Sequence, residues 1–243
     1  MSNIEKKIRK ENETKKTQIT CMVILVLLMA LIFWSEKSPG CAKAQMIIGG
    51  VIIIALGFIF FIYCFIEMKF HQWAFTFILI VGGLSLLIQP ILNIPDERAH
   101  LGRAELISEG NLFVDPEETE FPSIQAVQDL SSFEKTSYIK RDLKGKAINY
   151  DKTTVVHVAG SNLSFLYFPQ AIGILFAKIL HLNVIWMLWL GRFFNLFVYS
   201  VLISLAIKLA DKWKFVLFYI ASLPISIQQA ASFSPDALIN ALS

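Results

Sequence analysis

Residues 94–110 read IPDERAHLGRAELISEG, and residues 73–94 before them carry no charged side chain. Asp96, Glu97, Arg98, His100 and Arg103 then arrive together. An apolar helix that ends at a membrane surface and runs into a charged helix explains this change, and the rest of the chain can be ordered around it. Pro95 suits the first turn of the second helix, where its missing N–H does no harm, and Gly110 is a natural stop. Asp96 and Glu97 would then sit at a helix N-terminus, where the macrodipole favours negative charge. Asp96, His100 and Arg103 follow at i, i+4 and i+7 and share one face.

Working outward, the composition belongs to an integral membrane protein. The chain has 243 residues, 55% hydrophobic and 17% charged, with a mean hydropathy of +0.58, too apolar for an ordinary soluble domain. The net charge of +3 matters less than its placement. Lys6, Lys7, Arg9, Lys10, Lys15 and Lys16 crowd residues 1–17, marking a cytoplasmic tail under the positive-inside rule. A cleaved leader ending near Ala42-Lys43-Ala44 fits less well, because the apolar run Ile19–Trp34 is long and charges separate it from that site. Cys21, Cys41 and Cys64 form no disulfide or metal pattern.

The expected path is a sequence of crossings. Residues 18–72 supply two transmembrane helices, about Gln18–Trp34 outward and Ala44–Ile66 back, and a third span runs outward over Trp73–Ile94. Gly82-Gly83 in that span is either a close helix contact or tolerated glycine. Residues 95–183 form a large extracytoplasmic loop. In it, Pro116 and Pro122 mark irregular chain and Thr153–Val158 a short strand. Leu163–Leu182 is apolar enough to cross, but crossing would put Lys208, Lys212 and Lys214 outside. It is therefore expected to lie along the outer interface. Val184–Ile207 then runs inward, the KLADKWK turn (208–214) is cytoplasmic, and Phe215–Ser232 returns outward with Pro224 inside it. Asp236 thus comes back to the surface that holds Asp96, at the start of a helix over Asp236–Leu242.

Several residues are candidates for chemistry. Asp96 and Glu97 suit a general base, a metal ligand or an electrostatic partner, or else simply cap a helix at the membrane boundary. His100, one turn on, is a candidate acid, base or ligand. Arg192, within WMLWLGRFFNLF, lies inside an apolar span, where an arginine needs a partner or water. It either snorkels beside Trp186 and Trp189 or binds a phosphate through its forked guanidinium. Asn195 shares its face. Tyr167-Phe168-Pro169-Gln170 is a substrate-lining corner or a proline opening a helix. No nucleotide-binding glycine loop, zinc-ligand pattern or serine elbow is present, and nothing points to nucleic acid.

Four motifs in order, PDERAHLGRAELISEG, YFPQAIG, LGRFFNL and QQAASFSPDALINA, resemble the bacterial multi-span membrane proteins of domain-of-unknown-function family 2142. Their architecture is similar to that of class C glycosyltransferases. The resemblance covers about residues 75–243. It implies an all-α polytopic fold in which residues 73–243 are the N-terminal part of a truncated class C-like domain. It also implies a membrane glycosyltransferase that uses a polyprenyl-phosphate-linked sugar to modify a cell-envelope polymer or lipid on the outer face. Asp96 would be the acceptor-activating base or a ligand, a divalent metal being one candidate cofactor, with Glu97 in support. Arg192 and Arg103 would contact the lipid phosphate, and Asp236 would line the same cavity. The expected partners are membrane lipids, the polyprenyl-phosphate sugar donor and a partner membrane chain. The alternative is a non-catalytic assembly or carrier protein of envelope polysaccharide synthesis, which would bind lipid phosphate without needing Asp96 as a base.

Overall fold

The computed structural model describes residues 68–113, 120–132, 153–158, 162–210 and 212–243, together with Ile54, Gly57 and Phe58. Chain contacts divide the protein into Met1–Lys69 and Phe70–Ser243, and the elements below belong to the second unit. The expectations for the tail 1–17, the span Gln18–Trp34 and the three cysteines lie outside the described residues. So does the span Ala44–Ile66, apart from Ile54, Gly57 and Phe58, which are helical.

The described chain is mostly helical, and two helices are long and apolar enough to cross a membrane: α1 (Phe70–Ile88) and, later in the chain, Val184–Leu209. At about 1.5 Å per residue, the 19 residues of α1 cover about 28 Å. The expected extension of this span to Ile94 is corrected. Pro90 cannot donate into a helix and disfavours α conformation at Gln89, so α1 stops at Ile88, and Leu92 takes a left-handed φ of 48°. Helix α2 (Glu97–Ser108) follows, and Pro95 lies outside its first turn. Asp96 is the N-cap, with φ 58°, and Gly110, with φ 93°, is the stop that was expected.

Strand β1 (Glu120–Ile124), helix α3 (Gln125–Ser131) and strand β2 (Thr153–His157) come next, the strands pairing antiparallel with Phe121 opposite Val156. Pro122, expected in irregular chain, lies within β1. A two-stranded sheet has only edges, so a residue without an N–H is tolerated there. A 3₁₀ turn (Ser164–Tyr167) leads into α4 (Phe168–Ile179), with Pro169 in its first turn. Lys178 ties α4 to α2 through Glu105 (2.7 Å) and Ser108 (2.9 Å), and Ser123 of β1 donates to the other oxygen of Glu105. Burial pushes the Glu105 carboxyl up despite the ammonium beside it.

Asn183 caps α5 (Val184–Leu209) by accepting from the Trp186 N–H. Helices α1 and α5 pack antiparallel. Ser204 donates to the His71 carbonyl near one end (2.9 Å), and Arg192 reaches the Gln89 carbonyl near the other (3.2 Å). Ala74, Ile78, Gly82 and Leu86, four apart on α1, meet a core that includes Leu196, Tyr199 and Ile203 of α5. Gly82 is a close helix contact, since a Cβ there would overlap the Leu196 side chain, whereas Gly83 faces open space.

The continuous span expected over Phe215–Ser232 is corrected to two short helices, α6 (Lys214–Ala221) and α7 (Pro224–Ala230). Pro224 starts the second helix and holds Leu223 extended, with ψ 141°. This broken leg runs back along α5. Tyr199 donates to Ala221 O, Asn195 to Ser232 O, and Gly191 faces Phe233. It thereby delivers α8 (Asp236–Leu242) to the end of α5 where α2 begins.

Candidate functional site

At that end, a buried ion pair holds four chain segments together. Glu97 and Arg192 are both fully withdrawn from solvent. Arg192 donates from Nε to Oε1 (2.9 Å) and from Nη2 to Oε2 (2.8 Å), the forked arrangement that makes guanidinium–carboxylate pairs strong. Its remaining donors go to the Gln89 and Pro90 carbonyls, at 3.2 and 3.0 Å, and the Phe233 N–H reaches Glu97 Oε1. Asn195, one turn along α5, donates to the carbonyls of Ser232 and Ser234. Arg192 was expected to face a phosphate and Asn195 to share its face. In the structure Arg192 has an internal counter-ion, and Asn195 fastens the turn before α8.

The adjacent acids Asp96 and Glu97 part company. Glu97 turns inward, while Asp96 is exposed, left-handed and without a side-chain capping bond. His100, one turn along α2, is half-buried, and its Nδ1 lies 2.8 Å from the Tyr167 hydroxyl. That hydroxyl also accepts from Asn162 Nδ2 (2.9 Å). Burial depresses the His100 pKa below its usual 6.5, against the opposing pull of Asp236, Asp96 and Glu97, so the ring is neutral at pH 7. Tyr167 has no exposed surface, and burial pushes its phenol up to about 12. Asp236, at the start of α8, accepts from Gln229 Nε2 (3.0 Å) and acts on both His100 and Tyr167. The fold therefore brings together Asp96, His100, Tyr167 and Asp236, which span 140 positions of the chain from Asp96 to Asp236.

Arg103 stands three residues beyond His100, just under one turn along α2, and it is only 2% exposed. Its Nη2 donates to the Leu112 carbonyl (3.0 Å) and to Ser164 Oγ (2.7 Å), while Nε and Nη1 have no hydrogen-bond partner. Burial lowers its pKa. The amide of Gln89 is also buried with neither atom bonded. Among the described residues, no three His, Cys, Asp or Glu side chains are arranged to hold a metal ion. Beside the cluster, an apolar cavity of about 410 Å³ opens between α1 and α5, lined by Gly83, Leu86, Leu87, Trp186, Trp189 and Phe193.

Gln89, Asn162 and Ser164 were not among the expected site residues. Gln89 carried a signal in the Pro90 that follows it, since that proline breaks the helix. Asn162 and Ser164 carried none, because each acts through a partner distant in the chain. A family model described as a predicted membrane protein, DUF2142, matches residues 75–243. No curated protein and no solved structure gives a significant match.

Proposed function

The chain belongs to the DUF2142 family of predicted membrane proteins, and we propose that it is a glycosyltransferase with a polytopic, class C-like architecture. It takes a sugar from a polyprenyl-phosphate carrier and attaches it to a cell-envelope polymer or lipid on the outer face of the membrane. The observation that carries this reading is the meeting of Asp96 and Asp236 around His100, with the buried Arg103 acting on the adjoining Tyr167. Transfer from a phosphate-linked donor needs a base for the acceptor hydroxyl and a cation for the departing phosphate. Both kinds of group are present here, at the end of two helices long enough to span a bilayer.

In this reaction the acceptor hydroxyl attacks C1 of the donor sugar and gives its proton to the Asp96 carboxylate. The bond from C1 to the phosphate oxygen breaks, and its electron pair leaves with the phosphate. Asp96 suits the role of base because it is exposed and makes no capping bond. Glu97 is committed to Arg192 and acts by positioning the start of α2. The N-terminal tail and the basic turn with Lys208, Lys212 and Lys214 lie on the cytoplasmic side, so the cluster faces outward.

Asp96→Asn is the test, read as sugar transfer from a polyprenyl-phosphate donor by the purified chain. Asparagine tolerates left-handed backbone as aspartate does, so the variant should fold and express normally. Transfer should fall by about a hundredfold or more, as expected on removing a general base. Undiminished transfer would remove Asp96 from the mechanism. A parent protein that binds polyprenyl phosphate but transfers nothing would favour the carrier or assembly role.

A further inference from the structure

We propose that Arg103, through the Nε and Nη1 edge of its guanidinium, is the group that binds the phosphate of the ligand, and that Arg192 is not. The inference rests on the transferase reading only for the source of that phosphate.

Among the described residues, three cationic side chains are buried or nearly so at this end of the second unit, and two of them have carboxylate partners. Arg192 is matched by Glu97, and Lys178, 12% exposed, is matched by Glu105 and Glu109. Arg103 is also withdrawn from solvent, at 2% exposed, yet among the described residues it pairs with no carboxylate. Tyr167 does not supply the missing charge, since its phenol is held neutral up to about pH 12. Burying an uncompensated guanidinium is heavily penalised. A fold that keeps one, with two of its nitrogens unbonded, is built to receive an anion.

The surroundings favour a phosphoryl group. The free edge of a guanidinium meets two oxygens of a phosphate at once. Ser164 Oγ, which accepts from Nη2, and the Tyr167 phenol, which the guanidinium acts on, make the setting of that edge polar. Access is short. The carbonyl bonded to Nη2 belongs to Leu112, which is itself exposed, as are Phe113 and Leu163 on the flanking segments. The guanidinium therefore lies one residue beneath the surface.

The experiment measures the unfolding midpoint of the purified full chain in detergent with undecaprenyl phosphate, undecaprenol or inorganic phosphate. The expected result is a rise with undecaprenyl phosphate, none with undecaprenol, and loss of that rise in Arg103→Met. That variant, freed of an unpaired charge, should unfold no lower than the parent in the absence of ligand. A rise of equal size with inorganic phosphate, also lost in Arg103→Met, would keep the site and assign it to a free phosphate. A rise retained in Arg103→Met, or no rise with either phosphate, would overturn the proposal. If Arg103→Met does not fold, Arg103→Lys decides: it keeps the charge but loses the fork, and binding about tenfold weaker is expected, whereas parental affinity would overturn it. Transfer is assayed in the same preparations. A parent that binds phosphate but transfers no sugar keeps this site and removes the transferase reading, while transfer that survives Arg103→Met does the reverse.

Discussion

Arg192 and Glu97 are 95 residues apart and neither touches solvent, so each sets the cost of removing the other. Taking either away leaves a buried charge with no counter-ion, a loss of about 3–5 kcal/mol in comparable pairs. Arg192→Met and Glu97→Gln should each lower the stability of the purified protein to that extent. The double variant should cost clearly less than the sum, because neither charge then remains. Unfolding of all four proteins in one detergent gives the coupling energy directly. Additive losses, within about 0.5 kcal/mol, would mean that the pair is not the joint it looks to be. The same pair shows what a sequence can say about a site. Arg192 stood out because an arginine inside an apolar helix demands a partner, and Asp96 and Glu97 stood out because they interrupt an uncharged run. Which of the three would meet was not legible, since the choice depends on how α2 enters. Asp96 takes a left-handed turn, so the next residue, Glu97, points inward. That Arg103 is buried without a carboxylate partner among the described residues was hidden for the same reason, since pairing is a property of packing.

The elements are held by close backbone approaches as much as by side chains. A Cβ at Gly173 of α4 would overlap the Leu190 carbonyl and the Gly191 nitrogen of α5, main-chain atoms that cannot rotate away. Gly173→Ala must therefore push α4 off α5, at a cost of about 1–3 kcal/mol as in other overpacked cores. It should also loosen the His100–Tyr167 bond that α4 positions from its N-terminal end. Gly83→Ala, with nothing within 4 Å of its new methyl, should not lower stability and should raise it by up to about 1 kcal/mol. Thermal unfolding of the two variants side by side separates a glycine needed for contact from one merely tolerated. An equal effect of both would refute the distinction. Helix α5 was read from sequence to within two residues because a long apolar run begins at Val184, and β2 because Thr153–Val158 is rich in β-branched residues. The breaks at Gln89-Pro90 and Leu223-Pro224 were read as spans with an internal proline. Hydropathy measures how apolar a stretch is and is blind to the backbone hydrogen bond that each proline removes.

For the molecule as a whole, the two candidate spans run antiparallel, and the polar cluster and the lysines lie at opposite ends of α5. Apolar side chains also stand exposed along the 3₁₀ turn and α4, at Phe165, Phe168, Ile172, Phe176 and Ile179, and along α6, at Phe215, Val216 and Tyr219. The α4 stripe recurs every three or four residues. That is the pattern of a helix lying on a membrane surface, and it suits a segment shorter than either candidate span. If α5 crosses the bilayer with its lysines inside, Phe113, 96% exposed beside the cluster, and Trp213, 68% exposed after the lysine end, must lie on opposite faces. In a background with Cys21, Cys41 and Cys64 replaced by serine, Phe113→Cys should react with an impermeant maleimide on intact cells. Trp213→Cys should react only after the membrane is opened. The reverse pattern would turn the cluster toward the cytoplasm, where a donor carried on the outer leaflet could not reach Asp96. Labelling of both on intact cells would mean that α5 does not cross, and Arg192 would then be an ordinary buried pair partner with no membrane around it.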